Sequence, residues 1–177
     1  MANLDVDLKG QILSNNEVGR GFNVKAVIDY NDFVNNGASE SDDDTQTYQI
    51  IPLPIGAYVR DVMIYLNEAF DYSGSETSLT VQVGDTGDAD GYVESTELCV
   101  DGTEVFAKLA DGDYFNGTGS SSGQTNDVVI QSILNGKVYT TANTLEVLFT
   151  PDSSAKLSEA TQGKITVLAD IAFANWA

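Results

Sequence analysis

Ile165-Thr166-Val167-Leu168-Ala169-Asp170-Ile171-Ala172-Phe173 sets Ile165, Val167, Ala169, Ile171 and Phe173 on one side of an extended chain. A period of two marks a half-buried β-strand, because successive side chains point to opposite faces. The same period recurs upstream. Val24, Ala26, Ile28 and Tyr30 share one face, while Asn23, Lys25 and Asp29 share the other. Leu79, Val81 and Val83 alternate within residues 78–83, and Leu145, Val147 and Phe149 do so before Pro151. Residues 47–53 read as a further strand, ended by Pro52 and Pro54, which cannot serve a central ladder. Gly56 then permits a turn into residues 58–67, where Val62, Ile64 and Leu66 face one way and Met63 and Tyr65 the other. A strand apolar on both faces is expected to be central, covered by two layers or by a layer and a subunit.

The remaining signals complete an all-β reading. Residues 128–134, Asn135-Gly136 and residues 137–141 form the best hairpin signal, since Asn-Gly accepts the positive φ angles of a type I′ turn. Short strands are expected around residues 98–100 and 105–109, and one helical turn within residues 153–161, capped by Ser154. Residues 84–91 and 110–127 read as loops rich in Gly, Ser and Asp. No helix of three turns is expected. About eight or nine strands, spaced roughly 10–15 residues apart, predict a single antiparallel β-sandwich, jelly-roll-like in topology. Residues 1–20 are polar and weakly patterned, and read as an N-terminal arm with at most a short strand; residues 21–177 form the β-sandwich domain.

Charge narrows the function. The 177 residues carry 27 acids against 8 bases, a formal net charge of −19. Nucleic acid and anionic membrane both require clustered Lys and Arg, so neither is an expected partner. Lys108 is the one base between Asp61 and Gly136. Cys99 is the single cysteine, so no intrachain disulfide forms, and the expected setting for folding is the cytoplasm. The start, Met1-Ala2-Asn3-Leu4-Asp5, shows no secretory pattern, and no apolar run approaches a membrane span.

The chain is poor in catalytic inventory. With no His, a Ser or Cys nucleophile would need Lys, a carboxylate or an amino terminus as its base. Ser120, Ser121 and Ser122 have no partner to nominate, Cys99 between Leu98 and Val100 reads as a small core thiol, and no carboxylate pair stands out as a glycosidase acid and base. The expectation is that the protein is not an enzyme.

Residues 86–97 can be laid on a twelve-residue calcium loop. Asp88, Asp90, Gly91 and Glu97 fall on positions three, five, six and twelve of the pattern, but Thr86 stands at position one and a strand, not a helix, leads in. Asp88, Asp90 and Glu97 are thus candidate calcium ligands, against the alternative that Asp and Gly serve turn geometry. Asp42-Asp43-Asp44 reads as a solvated loop. Tyr72, Tyr92, Tyr114 and Phe115 lie in or beside loops and would suit a carbohydrate-binding face, or else pin their loops to the sandwich.

Gln49-Ile50-Ile51-Pro52-Leu53-Pro54-Ile55-Gly56-Ala57 through Val62, then Leu79-Thr80-Val81-Gln82-Val83-Gly84-Asp85 and Asp88-Ala89-Asp90-Gly91-Tyr92, resembles small virion structural proteins of tailed phages, of the head-decoration or head-fibre kind. The closing strand from Gly163-Lys164-Ile165-Thr166-Val167 is similar too. The likeness covers about residues 45–95 and the C-terminus, mostly in turn chemistry. It implies a β-sandwich that assembles on a capsid or tail, often as a homotrimer, without catalytic residues; the expected partner is the major capsid protein. Tyr58, Met63, Tyr65 and Trp176 are the expected subunit contacts, and the arm is the expected reach to the shell. The alternative is a carbohydrate- or receptor-binding module of a tail or fibre, calcium-stabilised or not.

Overall fold

A computed structural model describes residues 10–12, 22–35, 45–72, 78–98, 107–109, 111–112, 114, 136–151 and 156–173. Its strands are β1 (Gly10–Ile12), β2 (Val24–Asp29), β3 (Gln46–Leu53), β4 (Ala57–Tyr72), β5 (Leu79–Asp85), β6 (Asp88–Glu97), β7 (Ala107–Leu109), β8 (Lys137–Val138), β9 (Asn143–Pro151) and β10 (Ala160–Phe173). A short helix, α1 (Tyr30–Asn35), follows β2, and a 3₁₀ turn at Leu157–Glu159 precedes β10. The expected helical turn within 153–161 is that 3₁₀ turn; Ser154, its expected cap, lies outside the described residues.

Two antiparallel sheets face each other. The first runs β1-β2-β10-β4-β7, with β8 also pairing β4, and the second runs β3-β9-β5-β6. Apart from the added edge strand β1 and the short β8, the orders β2-β10-β4-β7 and β3-β9-β5-β6 are those of two interleaved Greek keys, with β5 and β6 a hairpin inside the second sheet. This is a β-sandwich of jelly-roll order, the expected architecture; alternation predicted its strands but not their order. Proline explains one edge: β3, which ends in Pro52-Leu53, pairs only with β9, so its outer backbone needs no ladder partner. Gly56, at φ 84°, makes the turn into β4.

Inward residues of both sheets merge into one core. Ile28, Val62, Ile64, Ile165 and Val167 of the first sheet meet Tyr48, Ile50, Val81, Val147 and Phe149 of the second. Each such side chain contributes about 1.5–3 kcal/mol by leaving water. Phe33 of α1 closes one end, its ring centroid 5.1 Å from that of Phe149 and edge-on to it. The sequence reading did not include α1. Its start carries a reciprocal cap: Asp29 Oδ1 accepts the Asn31 N–H, and Asp32 Oδ2 accepts the Asp29 N–H.

β4 is central, as expected, and longer than residues 58–67 because its register with β10 continues to Tyr72. Gly10–Ile12, inside the expected arm, pairs with Val24–Ala26 as an edge strand. β8 pairs with Tyr58 and Val59 of β4. The other half of the expected hairpin, residues 128–134, lies outside the described residues. No helix among the described residues is long and apolar enough to cross a membrane.

Candidate functional site

Residues 84–91 are not a loop. They are a tight hairpin: Asp85 pairs with Asp88, and Thr86-Gly87 alone form the turn. The Asp85 side chain builds it, since Oδ1 accepts the Gly87 N–H at 2.8 Å and the Asp88 N–H at 3.2 Å. Gly84 is there because β5 and β6 cross closely; a Cβ at that position would lie 2.0 Å from the Asp88 carbonyl oxygen.

The other carboxylate oxygen of Asp85 is the centre of a buried knot. Oδ2 accepts from Lys137 Nζ at 2.7 Å, from the Tyr139 hydroxyl at 2.6 Å and from the Tyr114 hydroxyl at 3.2 Å. Lys137 also donates to the Tyr114 hydroxyl at 2.6 Å and lies 3.9 Å from that ring's centroid. The Tyr92 and Tyr139 hydroxyls are 2.6 Å apart; with Tyr139 donating to Asp85, Tyr92 is the donor to Tyr139. The Asp85 side chain is fully buried, and that of Lys137 is 17% exposed. Burial pushes the Asp85 carboxyl up, but the Lys137 and Tyr139 hydrogen bonds and the Lys137 charge outweigh it and hold it below the ordinary value. Burial, with the Asp85 charge added, pushes the Tyr92, Tyr114 and Tyr139 phenols well above theirs.

This knot joins distant parts of the chain. Asp85 ends β5, Tyr92 lies in β6, and Lys137 opens and Tyr139 follows β8, which pairs with β4 of the other sheet. Gly91 leaves room for the Tyr114 ring, which would otherwise stand 2.2 Å from a Cβ. The N–H groups of Asp111 and Gly112 bond to the Tyr92 carbonyl and cover part of the β6 edge. A carboxylate holding a lysine and two phenols is satisfied on both oxygens. The knot ties the β5–β6 hairpin to β8 and so joins the two sheets.

The sequence-predicted calcium ligands are not brought together. Asp88 and Asp90 open β6 and Glu97 closes it, so at about 3.3 Å per residue the ends are roughly 30 Å apart. Asp90 accepts from Gln82, and Glu97 accepts from Ser78 and the Leu79 N–H. No metal-ligating group of three His, Cys, Asp or Glu occurs among the described residues. The strand replaces the calcium loop because turn geometry, not coordination, places Asp85 and Gly87. Of the two readings of the loop aromatics, Tyr92 and Tyr114 follow the second: both are buried in the core and pin their segments to the sandwich. The Tyr72 and Phe115 side chains lie outside the described residues.

The outer faces of the two sheets differ in chemistry. β5, β6 and β9 carry Asp88, Asp90, Glu94, Glu97 and Glu146 besides the buried Asp85, and no strand of this sheet, β3 included, holds a base. Their outward positions, such as Thr47, Gln49, Thr80, Gln82 and Thr150, are mostly hydroxyls and amides. The first sheet turns apolar side chains out. Val27 is 38% exposed, Tyr65 39% and Val138 44%, with Tyr58, Met63, Leu168 and Ala172 half-buried among them. Register ties them into rows: Val27, Thr166 and Tyr65 lie side by side, as do Leu168 and Met63, and Ala172, Tyr58 and Val138. Three expected subunit contacts, Tyr58, Met63 and Tyr65, therefore share this face; Trp176 lies outside the described residues.

No protein-family model matches the chain, and no curated protein matches it. Among solved structures it is similar to a chain of the cyanophage Pam1 capsid asymmetric unit, at 16% identity and a TM-score of 0.49, over 89% of each chain.

Proposed function

We propose that this chain is a virion structural protein of a tailed phage, and specifically a capsid decoration (cement) protein. It acts as a homotrimer on the major capsid protein and has no catalytic role. The contrast between the two outer faces carries the reading. One face is acidic and hydroxylated, suited to face water; the other sets Val27, Met63, Tyr65 and Leu168 among charges of both signs, Lys25, Arg60, Asp61 and Asp170, a mixture suited to packing on protein. Jelly rolls serve in viral shells and in lectins, so the fold permits this role without selecting it. The resemblance to head-decoration proteins adds to it, and falls on the β3–β4 turn, the β5–β6 hairpin and β10. Burial of Tyr92 and Tyr114 takes two of the four candidate sugar-binding aromatics out of reach of a ligand, which counts against the alternative of a sugar-binding module.

Binding that favours the assembled shell stabilises it by mass action. Phage heads lacking the protein should therefore resist heat better once it is added, read as a higher temperature of DNA release. An unchanged release temperature at saturating protein overturns the cement role.

A further inference from the structure

We propose that adjacent copies of this chain meet through the outer face of the first sheet, with Lys25 of one copy set against Asp61 of the next. Lys25 and Asp61, opposite charges on this face, make no ion pair among the described residues. Arg60, at the bulge in β4, bonds Asp170 at 2.5 Å. Asp170 lies directly across from Asp61. Arg60 is thus engaged by one carboxylate, while Asp61 is left with the Val62 N–H, at 2.9 Å, and a like charge opposite. Lys25, on β2, pairs in register with Leu168 of β10 and has no carboxylate partner among the described residues. β10 separates it from β4, and Leu168 and Met63 lie between it and Asp61.

A surface holding an unmatched base and an unmatched acid on either side of an apolar strip is complementary to itself. Repeated around a threefold axis, the Lys25 side of one copy meets the Asp61 side of the next, and Val27, Met63, Tyr65 and Leu168 supply the apolar surface at that contact. The second sheet cannot do this, since its strands carry acids alone. An unrelated acidic partner would satisfy Lys25 and repel Asp61; a basic one would do the reverse. The inference deepens the assembly reading above but is measured without a shell, so its failure and the failure of shell binding are separate results.

The test is sedimentation velocity on the full chain at near-physiological salt, comparing wild type with K25E, D61K and the double variant K25E/D61K. Far-ultraviolet circular dichroism and melting temperature establish that each variant folds, and the milder K25Q and D61N replace any that does not. Wild type should associate. Each single reversal should weaken association by about tenfold or more, because close interfacial charge pairs couple strongly. The double reversal should restore it. A wild type that stays monomeric, an association untouched by either reversal, or a double variant no better than the singles would each overturn the proposal.

Discussion

Lys137 Nζ lies 2.7 Å from Asp85 Oδ2, and the two residues are 52 positions apart in sequence. Their ion pair binds the β5–β6 hairpin to the strand β8 that pairs with the opposite sheet. Breaking a buried pair strands the surviving charge, at a cost of about 3–5 kcal/mol. Asp85→Ala should cost about 3 kcal/mol in urea unfolding, since Lys137 retains some water. The double change Asp85→Leu with Lys137→Met should cost clearly less than the sum of the singles. Additive losses would mean that the pair is not coupled.

The same pair sets the acid limb of stability. The Asp85 carboxyl is held below its ordinary value, 3.8, so its contribution is complete above that value and is lost as pH falls through the lower, folded one. Asp61 and Glu146 act in the opposite sense. Burial, with Asp170 beside Asp61 and Asp85 near Glu146, raises both, so their protonation favours the fold as pH falls towards 4. Asp61→Asn should remove part of a mild-acid rise in stability, and Asp85→Asn part of the loss below pH 4. Urea midpoints from pH 3 to 7 measure both.

At alkaline pH the buried phenols dominate. Unfolded tyrosines ionise near pH 10, whereas Tyr92, Tyr114 and Tyr139 are held protonated well above it in the fold. Stability should therefore fall as pH rises past 10. In an absorbance titration at 295 nm, these three of the 8 tyrosines should ionise only as the chain unfolds. A smooth titration of all of them in folded protein would contradict the buried knot.

Much of the fold was legible because it follows from alternation. β3, β9 and β10 have one buried and one wetter face, and Pro52 and Pro54 mark an edge. The candidate site was less so. Asp85 reads as a loop acid and Lys137 as the first residue of a hairpin strand, and no local pattern pairs residues 52 apart. Asp88, Asp90 and Gly91 mimic a cation loop because hairpins and cation loops draw on the same residues. Tyr92 and Tyr114 look like loop aromatics until a lysine and an aspartate supply partners for their hydroxyls inside the core. One missed signal was local: Asp29 and Asp32 stand at the spacing of a helix cap and announce α1.

Because β6 spreads Asp88, Asp90 and Glu97 along a strand, calcium should not act as a specific ligand. Melting in 5 mM calcium and in EDTA should agree to within about 2 °C, a difference of under about 1 kcal/mol. A rise of ten degrees at micromolar calcium would restore the cation reading.

Gly84 and Gly91 test the close approaches. Gly84→Ala meets backbone, which cannot turn aside, and Gly91→Ala meets the Tyr114 ring. Both should destabilise by about 2 kcal/mol or more, in the upper range for overpacking. Gly87→Ala, where a Cβ meets only the Asp85 carboxylate at 3.3 Å, should cost less.

Truncation separates the arm from the sandwich. Deleting residues 2–9 spares β1 and should leave the melting temperature nearly unchanged while abolishing shell binding. Deleting residues 2–20 also removes β1 and uncovers the edge of β2, so it should lower stability as well. Full shell binding by the shorter deletion would end the arm's assigned role.

The most direct measurement is co-sedimentation of the purified protein with phage heads that lack it. Decoration predicts saturable binding at a fixed whole-number ratio to the major capsid protein. No binding, or binding that rises without saturating, would contradict it.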